Sequence, residues 1–218
     1  MTYRLHDGLQ TGGAVVRAAL AEIGTPHDVI LTDVRTGAHL SDTYSALNPR
    51  QQVPTLIFPD GQVMTESSAI LVHLADRHPD AGLLPPPGSA PRGQALRWLA
   101  FCATNLYEGE NRKLHPERYT IGEPGGVGAA ARDFIDRNYL VLETAFSNGP
   151  FLLGEPMSVT DLYIWMLVQW HHDFEWLDRR CGKVVRCVQN VMERPGVARV
   201  HDEQFGPGLG LKPLPPAH

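Results

Sequence analysis

The chain lacks most of the features by which a function class declares itself. It has no run of Lys or Arg, and 19 basic against 24 acidic residues leave a net charge of −5. That balance argues against nucleic acid or an anionic membrane as the main partner. No apolar stretch approaches the roughly 20 residues of a transmembrane helix. The opening MTYRLHDGLQ is too polar for a secretory signal, so a cytoplasmic protein is expected. The 3 cysteines, Cys102, Cys181 and Cys187, form neither a CxxC pair nor an even-numbered framework, which fits a reducing compartment. Cys102, beside Phe101, reads as a buried structural thiol. WHHDFEW at 170–176 sets His171 and Glu175 on one helical face, but H-E-x-x-H is absent. Charged groups on a helix explain that stretch better than ligands do, so no metal is expected.

What is present is an ordinary soluble composition, 43% apolar and 20% charged, over 218 residues, enough for one large domain or two small ones. The two halves differ in texture. In residues 1–78, TYRLHDG reads as a strand and AVVRAALAEIG as a helix ending on Gly24. PHDVILTDV reads as a second strand, and SDTYSALNP as a short helix stopped at Asn48-Pro49. TLIF and QVMT flank Pro59-Asp60-Gly61 as a hairpin, and SSAILVHLADRHP is an amphipathic helix. The order βαβαββα is that of a thioredoxin-like domain. Residues 79–91 are rich in proline and glycine and read as a linker. From 92 to 205 helical patterns dominate, at roughly 92–114, 127–147, 158–178 and 183–193, with a short one after Pro195. Ser158 and Asp161 make a capping box at the head of the third of these. Residues 206–218 read as an extended tail. The fold class is therefore α/β followed by all-α.

Residues 48–70, NPRQQVPTLIFPDGQVMTESSAI, carry the chemistry. Cis is cheap only at an X–Pro bond. A cis Val53-Pro54 at a strand head would turn the N–H and C=O of Val53 outward, where an extended peptide could pair with them as an added strand. The competing reading is an ordinary trans proline on an edge strand. Glu66-Ser67 opens the next helix, where free N–H groups and the helix dipole suit a carboxylate. The Ser67 hydroxyl can donate to that carboxylate, and Glu66 can accept from an ammonium. The ligand drawn by these groups has an amide middle and an α-amino acid end.

This stretch resembles the glutathione-binding half of the cytosolic glutathione transferases, whose pattern runs N-P-x-x-x-V-P-x-L, D-G, E-S-x-A-I. The linker, the helical second half and the S-V-T-D box resemble the rest of that family. The resemblance implies that Val53, headed by Pro54, pairs with the cysteinyl backbone of glutathione, and that Glu66 and Ser67 hold its γ-glutamyl end. Gln52, Arg50 and Arg35 fall where the glycyl carboxylate would lie. It further implies glutathione as co-substrate, a hydrophobic small molecule as second substrate, and a homodimer.

Transferase chemistry needs the thiol as thiolate. A free thiol has a pKa of about 8.5, and lowering it by about two units takes close to 3 kcal/mol. Where the family places a Tyr, Ser or Cys, this chain has Thr11-Gly12-Gly13. Thr11 could donate to the thiolate, with the N–H groups of Gly12 and Gly13 adding to it; or Thr11 is a helix cap and the glycines a turn. The S-S-C motif of isomerase-type members is absent, which counts against that activity. Asn105 and Tyr107, with Arg112 after them, are polar groups on an otherwise apolar helix and are candidates for the electrophile side. Conjugation of glutathione to hydrophobic electrophiles leads, as in detoxification. A glutathione-dependent disulfide reductase and a non-catalytic glutathione-binding module are the alternatives.

Overall fold

The computed structural model describes residues 2–207; most of the tail expected at 206–218 lies outside the described residues. The chain forms two compact units, residues 2–82 with 192–207, and residues 83–191.

The first unit follows the expected order: β1 Tyr3–Asp7, α1 Gly13–Ile23, β2 His27–Leu31, α2 Asp42–Leu47, β3 Thr55–Ile57, β4 Val63–Thr65 and α3 Ser67–Arg77. The strands form one mixed sheet in the order β2-β1-β3-β4, with β1 parallel to β2 and the other pairs antiparallel. Along β1 the side chains alternate, burying Tyr3, Leu5 and Asp7. A carboxylate therefore occupies a core-facing position. α1 buries Val15, Val16, Ala18, Ala19 and Leu20 and packs beside α3. Gly24 ends it at φ 72°, where a side chain would be strained. In the hairpin, Asp60 Oδ1 accepts from Gln62 N–H at 3.0 Å and Gly61 sits at φ 90°.

Register places the functional segments. Asp7 lies opposite Leu31, His6 opposite Thr55, and Thr55 opposite Thr65. One step further, Pro54 falls opposite both Asp7 and Glu66. The end of β1, the head of β3 and the end of β4 thus meet at one edge, from which both α1 and α3 start.

The second unit is all helical: α4 Ala90–Phe101, α5 Glu108–Leu114, α6 Gly125–Ala145, α7 Val159–His171, α8 Phe174–Arg180 and α9 Gly182–Met192, which reaches its boundary. Cys102–Tyr107 joins α4 to α5 by widened π-type turns. Thr104 Oγ1 donates to Ala100 O at 2.9 Å and Asn105 Nδ2 to Phe101 O at 3.1 Å, serving carbonyls at the start of that wide stretch. At the head of α7 the N–H groups of Ser158 and Leu152 each donate to Asp161 at 2.8 Å. Leu106, Ile135, Tyr139 and Trp165 are fully buried around α7. The single helix expected at 158–178 is two, because His172 adopts φ 64° and Asp173 Oδ1 caps α8 through Trp176 N–H at 3.0 Å. His171 and Glu175 therefore do not share a helical face.

α10, Pro195–Phe205, departs from the expected 92–205 helical domain by belonging to the first unit. Arg194 pairs with Glu22 at 2.7 Å and Glu203 with Arg17. Gly196 approaches α1 so closely that a Cβ there would stand 3.1 Å from Ala21. Among the described residues no helix is long and apolar enough to cross a membrane.

Candidate functional site

The segment before β3 is fixed from beneath. Tyr44 and Asn48, both buried, donate to Gln52 O, each at 2.6 Å. The Tyr44 hydroxyl also meets Thr55 Oγ1 at 2.9 Å, and Asn48 Nδ2 reaches the same oxygen at 3.3 Å. Each such bond is worth about 1 kcal/mol net, and leaving a buried partner unmet costs more. The Val53–Pro54 bond between these anchors is cis. Among the described residues, neither N–H nor C=O of Val53 has a hydrogen-bond partner.

Across the hairpin, Glu66 holds φ 65° and ψ 101°, a conformation non-glycine residues seldom adopt. Such outliers gather at functional sites. The turn ends β4 and starts α3 at Ser67, which is buried at its N-terminus. The Glu66 carboxylate is largely exposed and stands 3.8 Å from the Arg50 guanidinium. Arg50 Nε donates to Gln52 Oε1 at 3.2 Å. The structure thus brings Arg50, Gln52, Val53, Pro54, Glu66 and Ser67 to one sheet end. Arg35 is paired with Asp33 at 3.3 Å in the loop after β2.

The loop between β1 and α1 is arranged differently. The single Thr11 hydroxyl proton is shared between Asp7 Oδ1 at 3.0 Å and Gly8 O at 2.9 Å, and the oxygen accepts from Gly13 N–H at 3.3 Å. Ala14 N–H donates to Thr11 O at 3.1 Å. Thr11 therefore braces the turn before α1, whose N-cap position is Gly12, and its proton points into the fold. Gly12 N–H has no partner among the described residues. Gly13 is required by contact: a Cβ there would lie 1.7 Å from Asp7 Oδ1.

Asp7 is a residue the motif reading missed. It is 1% exposed, and burial pushes its carboxyl up to about 6 against the opposing pull of Thr11, Arg17 and Gln204. Its signal was available, since alternation along YRLHD puts it on the buried side of β1.

In the second unit, Asn105 is half-buried and spends its amide on Phe101 O. The Tyr107 ring packs edge-on against Trp170 at 5.0 Å, and Arg112 lies over Tyr119 at 5.6 Å. All three cysteines are buried. Burial raises the thiols of Cys102 and Cys187 far above the usual range and that of Cys181 to about 12. Among the described residues no protein thiol is poised as a nucleophile.

A family model for the glutathione S-transferase N-terminal domain matches residues 14–77. Glutathione S-transferase GstA of Escherichia coli O157:H7 is 28% identical over 156 residues, covering 72% of this chain and 75% of that protein. The probable maleylacetoacetate isomerase of Caenorhabditis elegans is 30% identical over 151 residues, covering 68% and 69%. This chain belongs to the cytosolic glutathione transferase superfamily. A transferase homologue from Sulfitobacter, solved with bound glutathione, shares the transferase fold at a TM-score of 0.84, with 24% identity over 93% of this chain and 98% of that one.

Proposed function

We propose that the chain is a glutathione transferase that binds the tripeptide along residues 50–54 and 66–67 and presents its thiolate at the entry to α1. The observation that carries this reading is the unspent backbone of Val53, next to Pro54, which falls opposite the positive-φ turn at Glu66 that opens α3. Val53 pairs with the cysteinyl backbone as an added strand, beside Pro54. Ser67 and the α3 N-terminus take the γ-glutamyl carboxylate, and Glu66 takes its ammonium. Arg50 and Gln52 exchange their present contacts for the glycyl carboxylate. With the Thr11 proton engaged, the thiolate draws on Gly12 N–H and the dipole of α1, and Gly13 lets that helix close on Asp7. The sulfur lone pair then forms the C–S bond. In substitution the leaving group departs with its bonding electrons; in addition a proton from water completes the product. Asn105, Tyr107 and Arg112 are assigned to the electrophile, a hydrophobic small molecule. A cytoplasmic homodimer serving detoxification rests on family membership alone.

One observation favours a second reading, a glutathione-binding module without turnover: the one hydroxyl at the thiol position is committed inward. Glutathione-dependent consumption of an activated aryl chloride tests the primary proposal. Turnover of a mixed disulfide alone would select a reductase, turnover of a cis-enediol or cis-alkene acid alone an isomerase, and saturable glutathione binding without turnover the module.

A further inference from the structure

The loop that faces the thiol in this reading is held by a residue from the far end of the chain. Gln204, on α10 and 3% exposed, donates from Nε2 to Asp7 Oδ2 at 2.7 Å. Its other amide atom, Oε1, accepts from Gln10 N–H at 2.8 Å. Gln10 sits at φ 58°, so this bond secures a backbone conformation that is costly for a side-chain-bearing residue. Asp7 Oδ1 meanwhile takes the Thr11 hydroxyl. Gln10 and Thr11 are thus clasped from below, one through the amide and one by the carboxylate directly.

The chemistry of the clasp is specific. It needs a donor toward the carboxylate and an acceptor toward the Gln10 N–H, and a side-chain amide supplies both. A carboxylate at 204 would set two anions together, and an apolar side chain would leave a buried carboxylate and an N–H unmet. The other groups around Asp7 are Arg17 of α1, whose Nη1 lies 3.9 Å from Oδ2 and which is drawn outward to Glu203, and the Tyr44 hydroxyl of α2, on which the Asp7 charge acts.

We propose that Asp7 and Gln204 are positioning residues for the thiol site: through them α10 sets the backbone at Gln10–Thr11, and with it the angle at which Gly12 N–H and the start of α1 meet the sulfur. This rests on the glutathione reading above, which fixes where the sulfur lies.

The test is an exchange of partners. Asp7→Asn alone turns its amide so that the oxygen still accepts from Gln204 Nε2 while Nδ2 donates to Thr11 Oγ1, whose proton then goes to Gly8 O; it is the control that keeps the Gln204 arm of the clasp. Gln204→Glu alone opposes two carboxylates wherever both are ionised, so it is read at a pH above the raised Asp7 carboxyl. Together the substitutions restore every bond, since the new amide donates to the new carboxylate, which still accepts from Gln10, while Thr11 donates to the amide oxygen. Amide exchange at Gln10 without glutathione is expected to speed up at least about tenfold in Gln204→Glu, to stay near wild type in Asp7→Asn, and to recover in the double. The thiolate midpoint of bound glutathione is expected to rise by about half a unit or more in Gln204→Glu and return in the double, with glutathione affinity nearly constant. Gln204→Met, which keeps the volume, gives the same result if a charged variant fails to fold. Unchanged exchange at Gln10 in the Gln204 variants, or a double no better than Gln204→Glu, overturns the clasp. Faster exchange with an unmoved thiolate midpoint overturns its role at the thiol site. If wild type binds no glutathione, the functional reading fails with the positioning role, while the exchange data still judge the clasp.

Discussion

Residues 48–54 and residues 8–13 meet at the same end of one sheet, and they use their polar groups in opposite ways. In the first, Tyr44 and Asn48 satisfy Gln52 O from within, which leaves Val53 unpaired. In the second, the Thr11 hydroxyl is spent on Asp7 and Gly8, and Gln10 N–H on Gln204. The segment proposed to grip a ligand keeps its hydrogen bonds in reserve. A loop that must hold a shape commits them.

The contrast breaks most severely at Gly13. A Cβ there cannot coexist with the Asp7 carboxylate in its present place, so Gly13→Ala should cost about 3 kcal/mol or more. Denaturant unfolding measures that cost, and glutathione affinity per folded molecule should change little. Next comes pH. Because folding raises the Asp7 carboxyl from 3.8 to about 6, the folded chain binds its proton more tightly than the unfolded one. Its contribution is therefore fully present below about pH 4 and is lost as pH rises through about 6, by up to about 3 kcal/mol. Asp7→Asn should flatten that slope, read from stability against pH across this window.

Glu66→Gly separates grip from fold by giving opposite signs. Glycine relieves the φ 65° turn by about 1 kcal/mol, while the lost carboxylate should weaken glutathione binding about tenfold. Calorimetric unfolding and binding titration measure the two signs. Thr11→Ala should do least to chemistry. Removing a donor aimed at developing charge costs about 100-fold in rate or more, whereas removing an inward hydrogen-bonded hydroxyl costs about 1 kcal/mol of stability. The second outcome is expected, with turnover down less than about tenfold.

The meeting of residues 50–54 with 66–67 at one sheet end was legible because its parts are local. Val53-Pro54, Asp60-Gly61 and Glu66-Ser67 each state a backbone requirement, and their spacing sets the register that brings them together. The strands and helices of the first unit followed from alternation and caps for the same reason. The clasp was not legible: Asp7 and Gln204 are 197 residues apart, and neither belongs to a motif. The return of α10 to the first unit rests on contacts such as Arg194–Glu22, which no periodicity reveals. The break at His172 escaped because an isolated left-handed residue without glycine leaves no mark in an apolar helical pattern. Thr11 was seen, but the direction of its hydroxyl depends on Asp7, so its use could not be read from type and spacing.

The most direct measurement is an ultraviolet difference titration of glutathione on the wild-type chain, following the thiolate band from about pH 5 to about 9. A saturable band with a midpoint well below the free thiol value of about 8.5 is predicted, since the same sheet end would both grip and ionise the ligand. Saturable binding with no thiolate band at neutral pH would contradict the account, leaving a site that holds the tripeptide without activating it.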